Sequence, residues 1–115
     1  MRHHDRNKKL SRKRKVRRGL IKSLYVSLIS YGKIRTTLAK AKAMRPFMDR
    51  LVTYAKVGTV AKQRLLLKYL PRKAVSRLIK EWAPRYKERN GGYARIVKVG
   101  RRKSDGAHMA IVEFV

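Results

Sequence analysis

Lys33-Ile34-Arg35-Thr36-Thr37-Leu38-Ala39-Lys40-Ala41-Lys42 is the stretch where the chain changes its periodicity, and its reading decides the fold. Ile34, Thr36 and Thr37 make Lys33–Thr37 short and β-prone, which predicts a strand. Thr37 then suits the cap of a helix running from Leu38 to about Lys56. Along that helix Ala41, Met44, Phe47, Met48, Leu51, Val52 and Ala55 recur at helical spacing and predict a core face. Pro46 lies inside the pattern, where it removes a backbone bond and crowds the preceding turn at a cost of about 3 kcal/mol. A kink, or two abutting helices, is the expected result.

Towards the N-terminus, Leu20, Ile21, Leu24 and Leu28 form one apolar stripe over Val16–Ser30, with Gly32 as its stop. Before it, residues 1–15 carry only one sizeable aliphatic after the initiator, Leu10, among eight Lys and Arg. Such a segment cannot bury enough surface to offset its ordering entropy, so an extended or disordered arm is expected until it meets a partner.

Towards the C-terminus, Thr59 suits the cap of a helix from Val60 to about Tyr69. Pro71 opens another, with Val75, Leu78, Ile79 and Trp82 on one face and Pro84 as its end. Asn90-Gly91-Gly92 predicts a turn into two β-rich segments, 93–99 and 109–115, joined by a loop holding Arg101, Arg102 and Lys103. Together these give an α+β class: four or so helices on a small mixed sheet, strand 33–37 plus hairpin 93–99/109–115. The organisation is a basic arm, 1–15, and one domain, 16–115.

Charge bounds the function. Thirty-three Lys and Arg against six Asp and Glu leave +27 in 115 residues. Screening acts over roughly 8 Å at physiological salt, so these cations repel one another and call for a permanent polyanionic partner. No run approaches the 18 apolar residues of a spanning helix. Cysteine is absent, which rules out disulfides and thiolate metal sites. The N-terminus has the composition of an organellar presequence, but the 93 residues after Lys22 still hold 22 basic and five acidic side chains. Basic character therefore belongs to the whole chain.

The sites follow from that charge. His3 and His4, adjacent in an arm, point apart and have no third ligand nearby, so no metal is expected. The carboxylates Asp5, Asp49, Glu81, Glu88, Asp105 and Glu113 are scattered among cations that depress their pKa values, which argues against general acid catalysis. No enzyme activity and no cofactor are expected. Gly91-Gly92 enters a strand and not a helix, so it is no phosphate-cradling loop. Trp82, Phe47 and Phe114 read as core. Tyr93, after two glycines and before Arg95, is the candidate for stacking on a base, with a half-buried strand residue as the alternative. His108 reads as an RNA contact or a surface residue. Val60–Tyr69 and Arg72–Trp82 also fit a helix-turn-helix with Arg72, Lys73, Arg77 and Lys80 on the second helix. Charge spread over arm, helices, strand and loop favours a folded RNA over one duplex groove.

Three motifs then carry a family resemblance. Met1-Arg2-His3 with Lys9-Leu10-Ser11-Arg12, Ile34 to Lys42 with Arg45 beyond, and Gly91-Gly92-Tyr93-Ala94-Arg95-Ile96 resemble the bacterial large-subunit ribosomal protein seventeen family. The resemblance spans essentially the whole chain. Ala94 stands where the family often has Thr, and Arg17 where it often has His. The resemblance implies a structural protein of the ribosome, bound to large-subunit ribosomal RNA near the peptide exit region and touching neighbouring ribosomal proteins; a cytoplasmic ribosome is expected, with an organellar one as the alternative. No membrane and no small-molecule substrate enter this reading. The runner-up is a free DNA- or RNA-binding accessory protein.

The expected RNA-binding residues form three groups. Arg2, His3, Arg6, Lys8, Lys9, Arg12, Arg14, Arg17 and Arg18 belong to the arm and its continuation. Arg35, Thr36, Thr37, Lys40 and Lys42 surround the helix start, where hydroxyls and backbone N–H groups can meet phosphate. Tyr93, Arg95, Arg101, Arg102 and Lys103 form the third.

Overall fold

The computed structural model describes Leu10 and residues 12–115. Helix α1 runs over Arg14–Tyr31, two residues earlier than its apolar stripe predicts. Arg and Lys are good helix formers, and the Arg17 N–H already donates to the Lys13 carbonyl at 2.8 Å. Arg14 and Lys15, expected in the arm, are therefore helical. Gly32 ends α1 at φ +80°, with its N–H bonded to the Leu28 carbonyl at 2.7 Å. A side chain there would be strained twice, because a Cβ would stand 3.0 Å from the Trp82 ring.

Strand β1, Lys33–Thr37, leads straight into α2, Leu38–Val57. The Thr37 hydroxyl accepts from the Lys40 N–H at 3.4 Å, as a cap. Helix α2 runs unbroken through Pro46, so the division into two abutting helices is not what the chain adopts. Six residues of its predicted core face are buried: Ala41, Met44, Met48, Leu51, Val52 and Ala55. Phe47 is not, being 51% exposed. It sits on the flank of the stripe and lines an open groove, with the Arg50 guanidinium over its ring.

Helices α3, Val60–Leu67, and α4, Arg72–Arg77, follow; Thr59 caps the first through the Lys62 N–H. The expected helix to Trp82 is interrupted after Arg77 by a π turn, Leu78–Trp82, and a 3-10 turn, Ala83–Tyr86. Pro84 falls in the first turn of the latter, where no intrahelical N–H is required. The Ala83 N–H reaches back five residues to the Leu78 carbonyl, and Pro84, with no N–H, cannot restore the α-helical ladder; Leu78 and Trp82 are both buried, and Trp82 Nε1 donates to the Ile29 carbonyl at 2.8 Å.

Strands β2, Ala94–Arg101, and β3, His108–Phe114, form the hairpin, and the sheet order is β1-β3-β2. All pairing is antiparallel, where a mixed sheet was expected. With β3 in the centre, β1 and β2 each run against it, so no parallel pair arises. Ile34, Val112 and Ile96 lie in one row of the inner face, and Ala94 opposes Phe114. That face packs on the buried stripe of α2, with Leu28 and Ile29 of α1 and the Trp82–Phe114 ring pair, centroids 4.3 Å apart. Full burial of each such aliphatic contributes about 1.5–3 kcal/mol. The α+β class stands.

Candidate nucleic-acid interface

Helix α1 places Arg14, Arg17, Arg18, Ile21, Lys22 and Tyr25 three or four residues apart, hence on one face. This face looks across a groove of about 870 Å³ to Lys42, Ala43, Pro46 and Phe47 of α2 and to Lys68 and Tyr69, which follow α3. Six of the lining residues are cations, and none of the described lining residues is acidic. A smaller recess of about 30 Å³ opens beside it, sharing Tyr25, Phe47 and Tyr69 and adding Arg50, Leu51 and Tyr54. The Arg50 guanidinium stands 5.4 Å from the Phe47 ring centroid. Burial pushes the Tyr25 hydroxyl well above the ordinary tyrosine range, with Arg50 opposing and Tyr69 reinforcing the shift. It remains a neutral hydrogen-bonding group at any physiological pH.

The groove joins two sets of residues that the sequence separates: Arg14, Arg17 and Arg18 from the basic segment, and Lys42 from the helix start. Lys22, Lys68, Phe47 and Tyr69 are additions. The spacing 14, 17, 18, 21, 22, 25 was a visible signal for the α1 wall. Nothing local connects it to Lys68 and Tyr69, which only the tertiary fold brings near. Arg12 is exposed and donates to the Leu10 carbonyl at 2.7 Å. Arg2, His3, Arg6, Lys8 and Lys9 lie outside the described residues, as do His4 and Asp5.

The other expected residues lie elsewhere. Arg35 and Arg95 point to the outer face of the sheet, where Arg95 Nε meets Glu113 Oε1 at 2.7 Å. Lys33 is opposite the same Glu113. Thr36 is buried on the inner face, and the Thr37 hydroxyl is engaged in capping, so neither hydroxyl stands open to a phosphate. Lys40 is half-buried in the first turn of α2. Arg101, Arg102 and Lys103 are exposed at the hairpin end, with Arg102 Nη2 on Asp105 Oδ2 at 2.6 Å. That contact holds the Asp105 carboxyl down to about 2, mainly through the hydrogen bond from Arg102 and then the Ala107 N–H. His108 is exposed beside Arg101.

Tyr93 is a core residue and not the stacking platform its sequence neighbours suggest. Its side chain is 2% exposed, packed against Tyr86 at 5.3 Å between centroids, and unavailable to a base. Gly91 and Gly92, at φ +140° and +62°, turn the chain so that Tyr93 enters the core. Helix α2 then grips the turn. Asp49 Oδ1 accepts from the Tyr93 and Ala94 N–H groups at 3.0 and 3.2 Å, and Arg45 Nε donates to the Ala94 carbonyl at 3.1 Å. Lys56 Nζ donates to the Tyr93 hydroxyl at 3.0 Å and to the Arg89 carbonyl. The Gly-Gly-Tyr motif is thus a joint between α2 and the hairpin. The helix-turn-helix alternative also weakens: α4 has six residues, and Ala74 and Val75 face the core.

Among the described residues no cluster of His, Asp and Glu has metal-binding proximity, and no helix is long and apolar enough to cross a membrane. Similarity to known proteins gives the remaining information. The large ribosomal subunit protein bL17 of Persephonella marina is 52% identical, with all of this chain and 95% of the relative aligned. Its namesake in Neorickettsia sennetsu is 49% identical over the whole of both chains. That of Thermodesulfovibrio yellowstonii is 47% identical, covering all of this chain and 87% of the relative. The family pattern described as ribosomal protein L17 matches residues 20–115, from the middle of α1 through the last strand. With the motifs at 34–42 and 91–96 inside that match and the relatives aligned over the whole chain, the chain belongs to the ribosomal protein L17 family.

Proposed function

We propose that this protein is a structural constituent of the large ribosomal subunit that binds and stabilises its ribosomal RNA, near the peptide exit region. The reading rests on family membership, and the family is structural, not enzymatic. The observation that carries the RNA part is the α1–α2 groove, where six cations converge without a carboxylate among the described lining residues. A polyanion that folds back on itself can meet this groove, the outer sheet face and the hairpin end together, whereas one duplex groove cannot. Arg14, Arg17, Arg18 and Lys42 contribute in the groove, Arg35 and Arg95 on the sheet, and Arg101, Arg102 and Lys103 at the hairpin. Arg2, His3, Arg6, Lys8, Lys9 and Arg12 extend the contact along the arm. Neighbouring ribosomal proteins adjoin it, and the site of action is the cytoplasmic ribosome.

Sedimentation of a lysate in high-magnesium buffer tests the proposal. The protein is expected with the large subunit, and RNA cross-links are expected from the groove. Recovery mainly in a slow, ribosome-free fraction overturns the proposal in favour of a free nucleic-acid-binding protein. A cross-linker on the hairpin end that never reaches a nascent chain or an exit-region protein would remove the location and leave the rest.

A further inference from the structure

We infer that the groove between α1, α2 and Lys68-Tyr69 takes an unpaired stretch of RNA, with bases stacked on Phe47 and Tyr69 and its phosphates on the cations of α1. The inference rests on the RNA-binding reading above and names the form of RNA for one site. The exposed rings and their surroundings support it. Phe47 and Tyr69 are 51% and 47% exposed, and both line the same groove. Large exposed aromatics beside cations match what unpaired nucleic acid requires, a π-face for the base and a charged track for the backbone. Duplex RNA hides its base faces and offers only phosphates and 2′-hydroxyls, so two exposed rings would find no partner in it.

The dimensions agree. About 870 Å³ lies in the upper part of the usual range for ligand clefts, about 300–1,000 Å³. On the α1 wall, Arg14, Arg17, Arg18 and Lys22 follow one another along the helix at about 1.5 Å of rise per residue, so they span roughly 12 Å. That is two backbone repeats of an extended strand. Lys68 supplies a cation from the opposite wall. An acidic protein segment would satisfy the charges but would leave the rings without stacking partners. The chain's own first nine residues, with four cations and one carboxylate, carry the same sign as the groove.

The test uses the full chain and a fluorescein-labelled eight-nucleotide oligouridine, oligoadenine of the same length, and an RNA duplex. Anisotropy is read from 50 to 300 mM salt. Phe47→Ala and Tyr69→Ala are expected to weaken single-strand binding about five- to twentyfold each, the lower part of the range for losing one stacked base. Phe47→Leu, which keeps apolar bulk, should lose as much as Phe47→Ala. Phe47→Trp should bind normally, and its fluorescence should be quenched by the oligonucleotide. Lys22→Gln with Lys68→Gln should reduce the salt slope by about 1.4, at roughly 0.7 per phosphate on a single strand. Duplex affinity should be unmoved by the Phe47 and Tyr69 variants.

Single-strand binding unchanged in Phe47→Ala and Tyr69→Ala overturns the inference, as does an equal loss for duplex and single strand. A benzoylphenylalanine at position 47 that cross-links only protein in assembled subunits overturns it as well. Any of these three results with normal recovery of the chain in large subunits leaves the proposed function standing. Failure of the unaltered chain to sediment with subunits sinks that function itself.

Discussion

Replacing Asp49 by Ala tests whether the Gly-Gly-Tyr turn is a structural joint. The carboxylate takes two backbone N–H groups, those of Tyr93 at 3.0 Å and Ala94 at 3.2 Å, and so fixes where β2 begins against α2. Hydrogen bonds to charged groups contribute about 1.5–3 kcal/mol each. Asp49 is only half-buried and its second bond is longer, so the low end of that range applies to the first bond and less than that to the second. Asp49→Ala should then cost about 2–3 kcal/mol, a sizeable share of the roughly 6–17 kcal/mol expected for 115 residues. With an unfolding entropy of about 0.24 kcal/mol/K for this length, Tm should fall by about 10 °C. Asp49→Asn keeps an acceptor at nearly the same place and loses only the charge. Since charge-assisted bonds are about twice as strong as neutral ones, it should lose about half as much. Circular dichroism at 222 nm during thermal and urea unfolding reads both variants. A loss under about 0.5 kcal/mol for Asp49→Ala, or equal losses for the two variants, would refute the reasoning.

Three further outcomes are expected. Gly32→Ala combines the left-handed backbone penalty of about 1–2 kcal/mol with a Cβ 3.0 Å from the Trp82 ring; calorimetry should show a loss above 2 kcal/mol, on the order of the larger point-mutant effects, while Gly19→Ala, with nothing within 4 Å, should lose none. Asp105 has its pKa depressed by Arg102, so the pair's contribution to loop order is complete at neutral pH, persists through pH 4, and is lost as pH falls through about 2; carboxyl NMR reads it. Asp105→Asn should release Arg102 and steepen the RNA salt slope by up to about 0.9, and an unchanged slope would remove Arg102 from the interface. Deleting residues 1–11 removes four cations while sparing α1; if all four meet phosphates the slope should drop by about 3, and no change would reduce the arm to solvated charge.

The sequence announced the elements more reliably than the faces. Strand 33–37, the Thr37 cap and the Gly32 stop are local signals, each carried by residues whose own conformational preference fixes them. The break after Arg77 was not legible in the apolar pattern: Leu78 and Trp82, four residues apart, would share a face in a regular α-helix as well, and both are buried in the π turn. The aromatic assignments failed for one shared reason. Periodicity places a side chain on a helix or strand face and cannot say what stands opposite. Phe47 has the right phase for burial, but the helices leave an open groove on its side. Tyr93 has the composition of an RNA platform, yet α2 opposes it with Asp49 and Lys56, which satisfy its backbone and hydroxyl.

Charge behaves the same way, and this separates surfaces that the sequence leaves equivalent. Of the described carboxylates, Asp49 holds backbone, Glu81 pairs with Arg77, Asp105 with Arg102 and Glu113 with Arg95. None of these lines the groove. A cation already beside a carboxylate releases few counterions when a phosphate arrives, because its field is partly cancelled before binding. Removing Lys33 and Arg95 from the sheet face, where both stand near Glu113, should therefore lower the RNA salt slope by less than one unit, about the value of a single contact. Removing Lys22 and Lys68 from the groove should lower it by about 1.4 to 1.8. Each pair subtracts two formal charges, so net charge cannot explain a difference. Equal slopes from the two double variants would mean that the RNA senses only the total of +27, and that the fold's segregation of its acids has no part in recognition.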